Sequence, residues 1–158
     1  MIRVQEFERS LGALLPATYA LLTAANFTVH EKVSRVTLHG SRGLAGGYRP
    51  DSDVDLSLLV DMGPWSAPSD LQPLLEEVLE TTLSQWQSEV KADVAVVFDV
   101  RDCGLRCFEW SGWRQRLCIQ GGADCFGLFK RQRGQYEFLR DAGVEVQRMY
   151  PCLLIFRR

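Results

Sequence analysis

Asp53 and Asp55 stand one residue apart at the mouth of an apolar run, Val54-Asp55-Leu56-Ser57-Leu58-Leu59-Val60. Alternate side chains of a strand share a face. This spacing therefore puts both carboxylates on one side, with Cα atoms roughly 6.5 to 7 Å apart, and sends Val54 and Leu56 into a core on the other. Two carboxylates at ~5 Å in an effective dielectric near 20 repel by on the order of 3 kcal/mol. A chain that folds this way protonates one acid, solvates both, or holds a cation between them.

The segment before the pair narrows the choice. A strand predicted over 33–38 runs into Gly40-Ser41, and residues 40–52 are rich in Gly, Ser, Pro and Asp, the composition of a loop with one helical turn at most. Glycine lets backbone approach a ligand closely, and unpaired N–H groups at such a turn favour anions. The Ser41 hydroxyl adds a donor for a phosphate oxygen, and Arg42 and Arg49 supply positive charge. Hard oxygen ligands beside a phosphate cradle suit Mg²⁺, or Mn²⁺, with a nucleoside triphosphate. A third acid, Asp93, opens a strongly apolar strand predicted over 92–100. Asp99 shares its face but lies about 20 Å further along, so the two do not serve one site. Asp99 with Asp102 reads as strand-end solvation.

The rest of the chain supplies the frame. Val4, Phe7, Leu11 and Leu14 have the spacing of an amphipathic helix, broken at Pro16, with helix-permissive sequence over 17–25. The cleanest helical stripe runs from Leu71 through Leu74, Leu75, Val78, Leu79 and Leu83 to Trp86, with Ser69 and Gln72 as a capping box and Pro73 in its first turn. Further elements are a strand over 125–129, a helix over 135–141 ending at Gly143, and an edge strand over 152–156 suited to dimerisation. This order implies an α/β (α+β) fold, one domain over 1–158 with a small mixed sheet flanked by helices.

Composition excludes several classes. The chain has 158 residues with 18 basic and 20 acidic side chains, a net charge of −2. RNA or DNA binding through a broad basic surface is not indicated. No apolar run reaches the length of a membrane span, and the N-terminus does not read as a signal peptide. The five cysteines, Cys103, Cys107, Cys118, Cys125 and Cys152, are odd in number. They lack paired C-x-x-C spacing and lie far in sequence from His30 and His39. Reduced thiols in a cytoplasmic protein are expected, rather than structural zinc. The cluster Lys130-Arg131-Gln132-Arg133 reads as a solvated face, or as a contact for phosphate, RNA or an acidic partner. The aromatic residues Phe108, Trp110, Trp113, Phe126 and Phe129 read as core or interface.

Gly40-Ser41, eleven intervening residues, then Asp53-Val54-Asp55, followed by a lone acid on a later strand, resembles the polymerase beta-like nucleotidyltransferase superfamily. Gly40-Ser41-Arg42 and Asp51-Ser52-Asp53-Val54-Asp55-Leu56 resemble its minimal members in particular. The likeness covers about 33–98, and 100–158 would complete the domain. His39 departs from the pattern, which usually has an aromatic or aliphatic residue there. It reads as packing in preference to a nucleotide contact. The resemblance implies that Asp53, Asp55 and Asp93 are catalytic and hold metal, and that Gly40, Ser41 and Arg42 bind nucleotide. It further implies transfer of an NMP, AMP in the first instance, to a hydroxyl of a protein, RNA or small molecule. The chain leaves little room for an acceptor module of its own. The acceptor pocket is then shallow, shared with a second subunit of a homodimer, or provided by a partner, and the resemblance implies a protein partner, as in toxin–antitoxin pairs. The alternatives are a nucleotide-binding regulatory or antitoxin-like module that acts by binding a partner protein, and a small metal-dependent hydrolase.

Overall fold

A computed structural model describes residues 1–60, 68–99, 126–139 and 151–158 of the chain. Their order is β1 (Ile2–Arg3), α1 (Arg9–Leu14), α2 (Pro16–Ala24), β2 (Thr28–Val29), β3 (Val33–His39), β4 (Val54–Val60), α3 (Pro68–Gln85), β5 (Ala92–Asp99), β6 (Phe126–Gln132), β7 (Gln135–Leu139) and β8 (Leu153–Arg157). Among the described residues, six strands form a mixed sheet in the order β7-β6-β5-β4-β3-β8, and β1 pairs with β2 apart from it. The pair β4–β5 is parallel, and its neighbours in the sheet are antiparallel. The fold is α+β, as the element order implied.

Alternation decides which face of the sheet is which. Val36 and Leu38 on β3, Leu56 and Leu58 on β4, Val94 and Val96 on β5, Phe129 on β6 and Ile155 on β8 join one buried cluster. Helix α3 packs on that face with Leu75, Val78 and Leu79, joined by Leu11, Leu22 and Phe27 from the N-terminal part. Each such side chain, fully buried, stabilises the fold by about 1.5–3 kcal/mol. Thr82 lies within the apolar stripe of α3, yet it is fully buried. Its hydroxyl donates to the Thr28 carbonyl oxygen at 2.8 Å, which ties α3 to β2. The opposite face of the sheet carries His39, Asp55, Ser57, Asp93 and Lys130.

Strands β3, β4 and β5 fall where the alternation predicted. So does the helical break before Pro16: Leu15 leaves helical geometry at φ −134°, and Pro16 takes the first position of α2. Three expectations need correction. Residues 4–14 do not make one helix. The Val4 N–H donates instead to the Phe27 carbonyl oxygen at 2.8 Å. The Phe7 ring stacks on Phe27 with centroids 6.2 Å apart and meets Tyr19 edge-on at 5.9 Å. These tertiary contacts outweigh the weak helical preference of the segment. Residues 135–139 are a strand rather than a helix. Arg133 and Gly134, at φ 52° and 77°, form the two-residue turn that joins β6 to β7. The hairpin is held by Tyr136, which stacks on Phe129 at 5.5 Å and donates from its hydroxyl to Glu80 at 2.8 Å. Helix α3 begins at Pro68, one residue before the expected cap at Ser69.

The strand expected over 125–129 is β6, shifted to Phe126–Gln132, and that over 152–156 is β8, at the sheet edge. Cys103, Cys107, Cys118, Cys125, Phe108, Trp110, Trp113 and residues 140–143 lie outside the described residues. Cys152 is a free, half-buried cysteine, and burial pushes its thiol up to about 11, so it stays protonated at neutral pH. Among the described residues, no helix is long and apolar enough to cross a membrane.

Candidate functional site

The registers of three neighbouring strands bring the site together. His39 on β3 is opposite Asp55 on β4, and Asp55 is opposite Asp93 on β5. Lys130 on β6 is opposite Ala95, two residues beyond Asp93 on the same face. A long side chain spans that diagonal, and the Lys130 Nζ reaches Asp93 Oδ1 at 2.8 Å. The result is a row across four strands, His39, Asp55, Asp93 and Lys130, at the end of the sheet where β3 enters the glycine loop.

Gly40 begins that loop at φ +73°, a conformation other residues adopt only with strain. A Cβ at this position would lie 2.9 Å from the Asp55 Cγ and 3.3 Å from its Cβ, and closer still to Oδ2. The glycine is therefore the gap into which the Asp55 carboxylate fits. Two overlapping turns follow. The Gly43 N–H donates to the Gly40 carbonyl oxygen at 3.0 Å, and the Gly46 N–H to that of Gly43 at 3.2 Å. Ser41 sits half-buried at the first turn.

Arg42 is placed differently from Ser41. It is 7% exposed, and its guanidinium turns back into its own loop. Nε donates to the Ser52 carbonyl oxygen at 2.7 Å, and Nη2 to those of Arg49 and Pro50, each at 3.3 Å. The Tyr48 ring covers the guanidinium with its centroid 4.6 Å away, and the Thr18 hydroxyl donates to the Arg42 carbonyl oxygen at 2.7 Å. Arg42 thus fixes the path of the loop between Ser41 and Asp53. Replacing it with methionine strands three carbonyl groups and is expected to lower stability by about 2–3 kcal/mol. Lysine, which lacks the planar fork, should recover less than half of that loss. Urea melting of the two variants measures this, and equal stability of all three proteins would contradict the role.

The electrostatics match the crowding. Burial pushes the Asp55 carboxyl up to about 6, helped by the Asp93 charge, a side-chain hydrogen bond with Asp93 and the Asp53 charge, and opposed by Lys130. Asp53 is exposed at the start of β4. His39 is driven down to about 4, first by burial and then by Lys130, against the pull of Asp93. It is therefore neutral at pH 7, and its Nε2 shares a 3.0 Å hydrogen bond with the Ser57 hydroxyl. This bond ties the imidazole on β3 to β4. It leaves the Asp55–Asp93 pair with no charge from the histidine.

The structure thus brings Gly40, Asp55 and Asp93 into one place, with Ser41 and Asp53 at its rim and Arg42 beneath the loop. Among the described residues, no three His, Cys, Asp or Glu side chains converge into a ready-made metal-ligand group. Asp53 stays at the exposed end of the strand, and Lys130 holds Asp93. Lys130 is the site residue that sequence reasoning missed. The sequence groups it with Arg131, which faces the other way and pairs with Glu80 at 2.6 Å. The available signal was strand alternation with the apolar Phe129, but its use required the register of β6. No protein-family model matches the chain, and a comparison with curated proteins returns no match.

Proposed function

We propose that this chain is a divalent-cation-dependent nucleotidyltransferase, moving an NMP from a nucleoside triphosphate to an acceptor hydroxyl. The observation that carries the reading is the Asp55 carboxylate set against Gly40 and beside Asp93. The acids meet the phosphate-type turn of the loop there, with a charge repulsion that a bound cation would relieve. The donor set fits Mg²⁺ or Mn²⁺: hard carboxylate oxygens from Asp53, Asp55 and Asp93, with Asp55 pushed up by burial and by the neighbouring acids. When bound, such a cation neutralises the triphosphate and polarises the phosphoryl group under attack.

The chain's own residues do the rest. The turn at Gly40-Ser41 offers backbone N–H groups and a hydroxyl to phosphate oxygens. Arg42 keeps that turn and Asp53 at a fixed separation. Asp93 orients the acceptor hydroxyl and accepts its proton as the oxygen attacks the α-phosphorus. The bond to the bridging oxygen breaks, and pyrophosphate leaves. A protein partner or a second copy of the chain would complete the acceptor site.

Isothermal titration with Mg²⁺ and nucleoside triphosphates tests this. Wild type is expected to bind nucleotide in a Mg²⁺-dependent way, and Asp53→Asn/Asp55→Asn to bind at least about a hundredfold more weakly. Absence of binding by the wild type would sink the proposal. One observation favours a second reading. Lys130 already neutralises Asp93, which suits a regulatory or antitoxin-like module that binds nucleotide without transferring it. Incubation with labelled triphosphate and cell extract separates the two, because only the enzyme leaves label on an acceptor.

A further inference from the structure

We propose that Lys130 is the resident counter-ion of the acidic site. Its ammonium pairs with Asp93, the strand neighbour of Asp55, and a divalent cation must displace it to load. This rests on the reading of Asp53, Asp55 and Asp93 as a cation site.

Three observations carry it. The Nζ–Oδ1 distance to Asp93 is 2.8 Å, and the Lys130 side chain is only 16% exposed, far less than a lysine on an open surface. Lys130 comes from a different hairpin than either acid, so its reach into the row is set by the register of β6 against β5. The adjoining basic residue, Arg131, is turned by alternation to Glu80 on α3, so the basic cluster is divided between two faces rather than forming one solvated patch. A lysine in this position offers one charge on a flexible stem. That suffices to hold two neighbouring carboxylates together when the site is empty, and it yields to an ion of twice the charge. The lysine thereby sets the cation concentration at which the site fills, and below that concentration it offsets part of the repulsion between the acids.

The test compares Mn²⁺ binding, read by the electron paramagnetic resonance of the free ion, for the full-length wild type, Lys130→Met and Lys130→Arg. Melting in EDTA is measured alongside. Lys130→Met is expected to bind Mn²⁺ at least about tenfold more tightly, because a like charge has been removed from the ligand shell. It should also melt below wild type in EDTA and regain the difference when Mn²⁺ is added. Lys130→Arg, which restores the charge, is expected to return the affinity to near the wild-type value. Lys130→Gln keeps a hydrogen-bond donor for Asp93 and provides the same comparison if the methionine variant does not fold. Wild type that binds Mn²⁺, with Lys130→Met and Lys130→Gln binding it equally or more weakly, would overturn the role of Lys130 alone. Absence of Mn²⁺ binding by all the proteins would overturn the cation-site reading and this inference with it.

Discussion

Gly40→Ala is expected to destabilise the protein by about 3 kcal/mol and to abolish Mg²⁺-dependent nucleotide binding. Two effects add. Holding a non-glycine residue at φ +73° costs about 1–2 kcal/mol. Forcing a methyl group into a filled space costs typically about 1–3 kcal/mol more. The Asp55 carboxylate fills the space here, so relief of the clash comes only by moving the group on which the site depends. Gly46 provides the control. It has a similar φ of +71°, but nothing lies within 4 Å of its Cβ position, so Gly46→Ala should show the backbone cost alone. Shortening Asp55 in the alanine background separates the terms further. The double variant Gly40→Ala/Asp55→Ala should be less destabilised than the two singles together imply, because the collision has been removed. Urea melting of the wild type, the three single variants and the double variant reads the result. A Gly40→Ala variant no less stable than Gly46→Ala would refute the steric account.

Asp55→Asn is expected to do the opposite to stability while still removing cation binding. The native carboxyl titrates near 6, against 3.8 for the ordinary group. Because the folded value is raised, the native state holds this proton more tightly than the unfolded state does. Between about pH 4 and 6 the unfolded chain has lost the proton and the folded chain retains it, so stability falls as pH rises through this window. Above about pH 7 the whole penalty is present. The distance from 3.8 to about 6 corresponds to on the order of 3 kcal/mol, reduced to about 1–2 kcal/mol by the solvent that reaches a half-buried site. Asparagine has the same shape without the charge, so it should gain that amount at pH 7–8 and nothing below pH 4. Urea midpoints in EDTA across pH 4–8 give the comparison. Parallel wild-type and variant curves would show that Asp55 carries no electrostatic penalty. The acids of this site are thus expected to oppose folding and to favour ligand capture.

The central part of the molecule was legible because its signals are local. β3 and β4 alternate apolar with polar residues over part of their length and β5 is a nearly continuous apolar run, with Gly40 ending the first and an acid near the start of each of the others. Their registers then follow from burying one face. The approach of Asp55 to Asp93 was legible for a related reason, since each stands second in its strand. What failed depended on contacts between distant segments. Phe7 leaves its helical phase only because Phe27 and Tyr19 lie beside it. The β6–β7 turn was hidden by Arg133, an unusual residue for φ 52°, although the Arg133-Gly134 pair and the alternation of Gln135, Tyr136 and Glu137 were consistent with a hairpin. The charge of Arg42 pointed toward a ligand, whereas its partners proved to be carbonyls a few residues along its own loop. Lys130 could not be assigned without the strand next to it.

The sheet order has a consequence for how the chain is made. Strand β3, which delivers His39 and Gly40, lies between β4 and β8, and its outer edge is closed by pairs such as Arg35 with Arg157 and Leu38 with Leu153. The Glu8 N–H also donates to the Ile155 carbonyl oxygen at 2.8 Å. A ribosome therefore releases β3 and β4 long before the strand that seals them, and during that interval an apolar edge is open to other chains. Closure joins early and late segments across a long stretch of polypeptide, a slow kind of contact to form. Synthesis that stalls before Leu153 would leave a nascent chain with the loop and acids in place but an unsealed edge, and such fragments would be natural clients for chaperones.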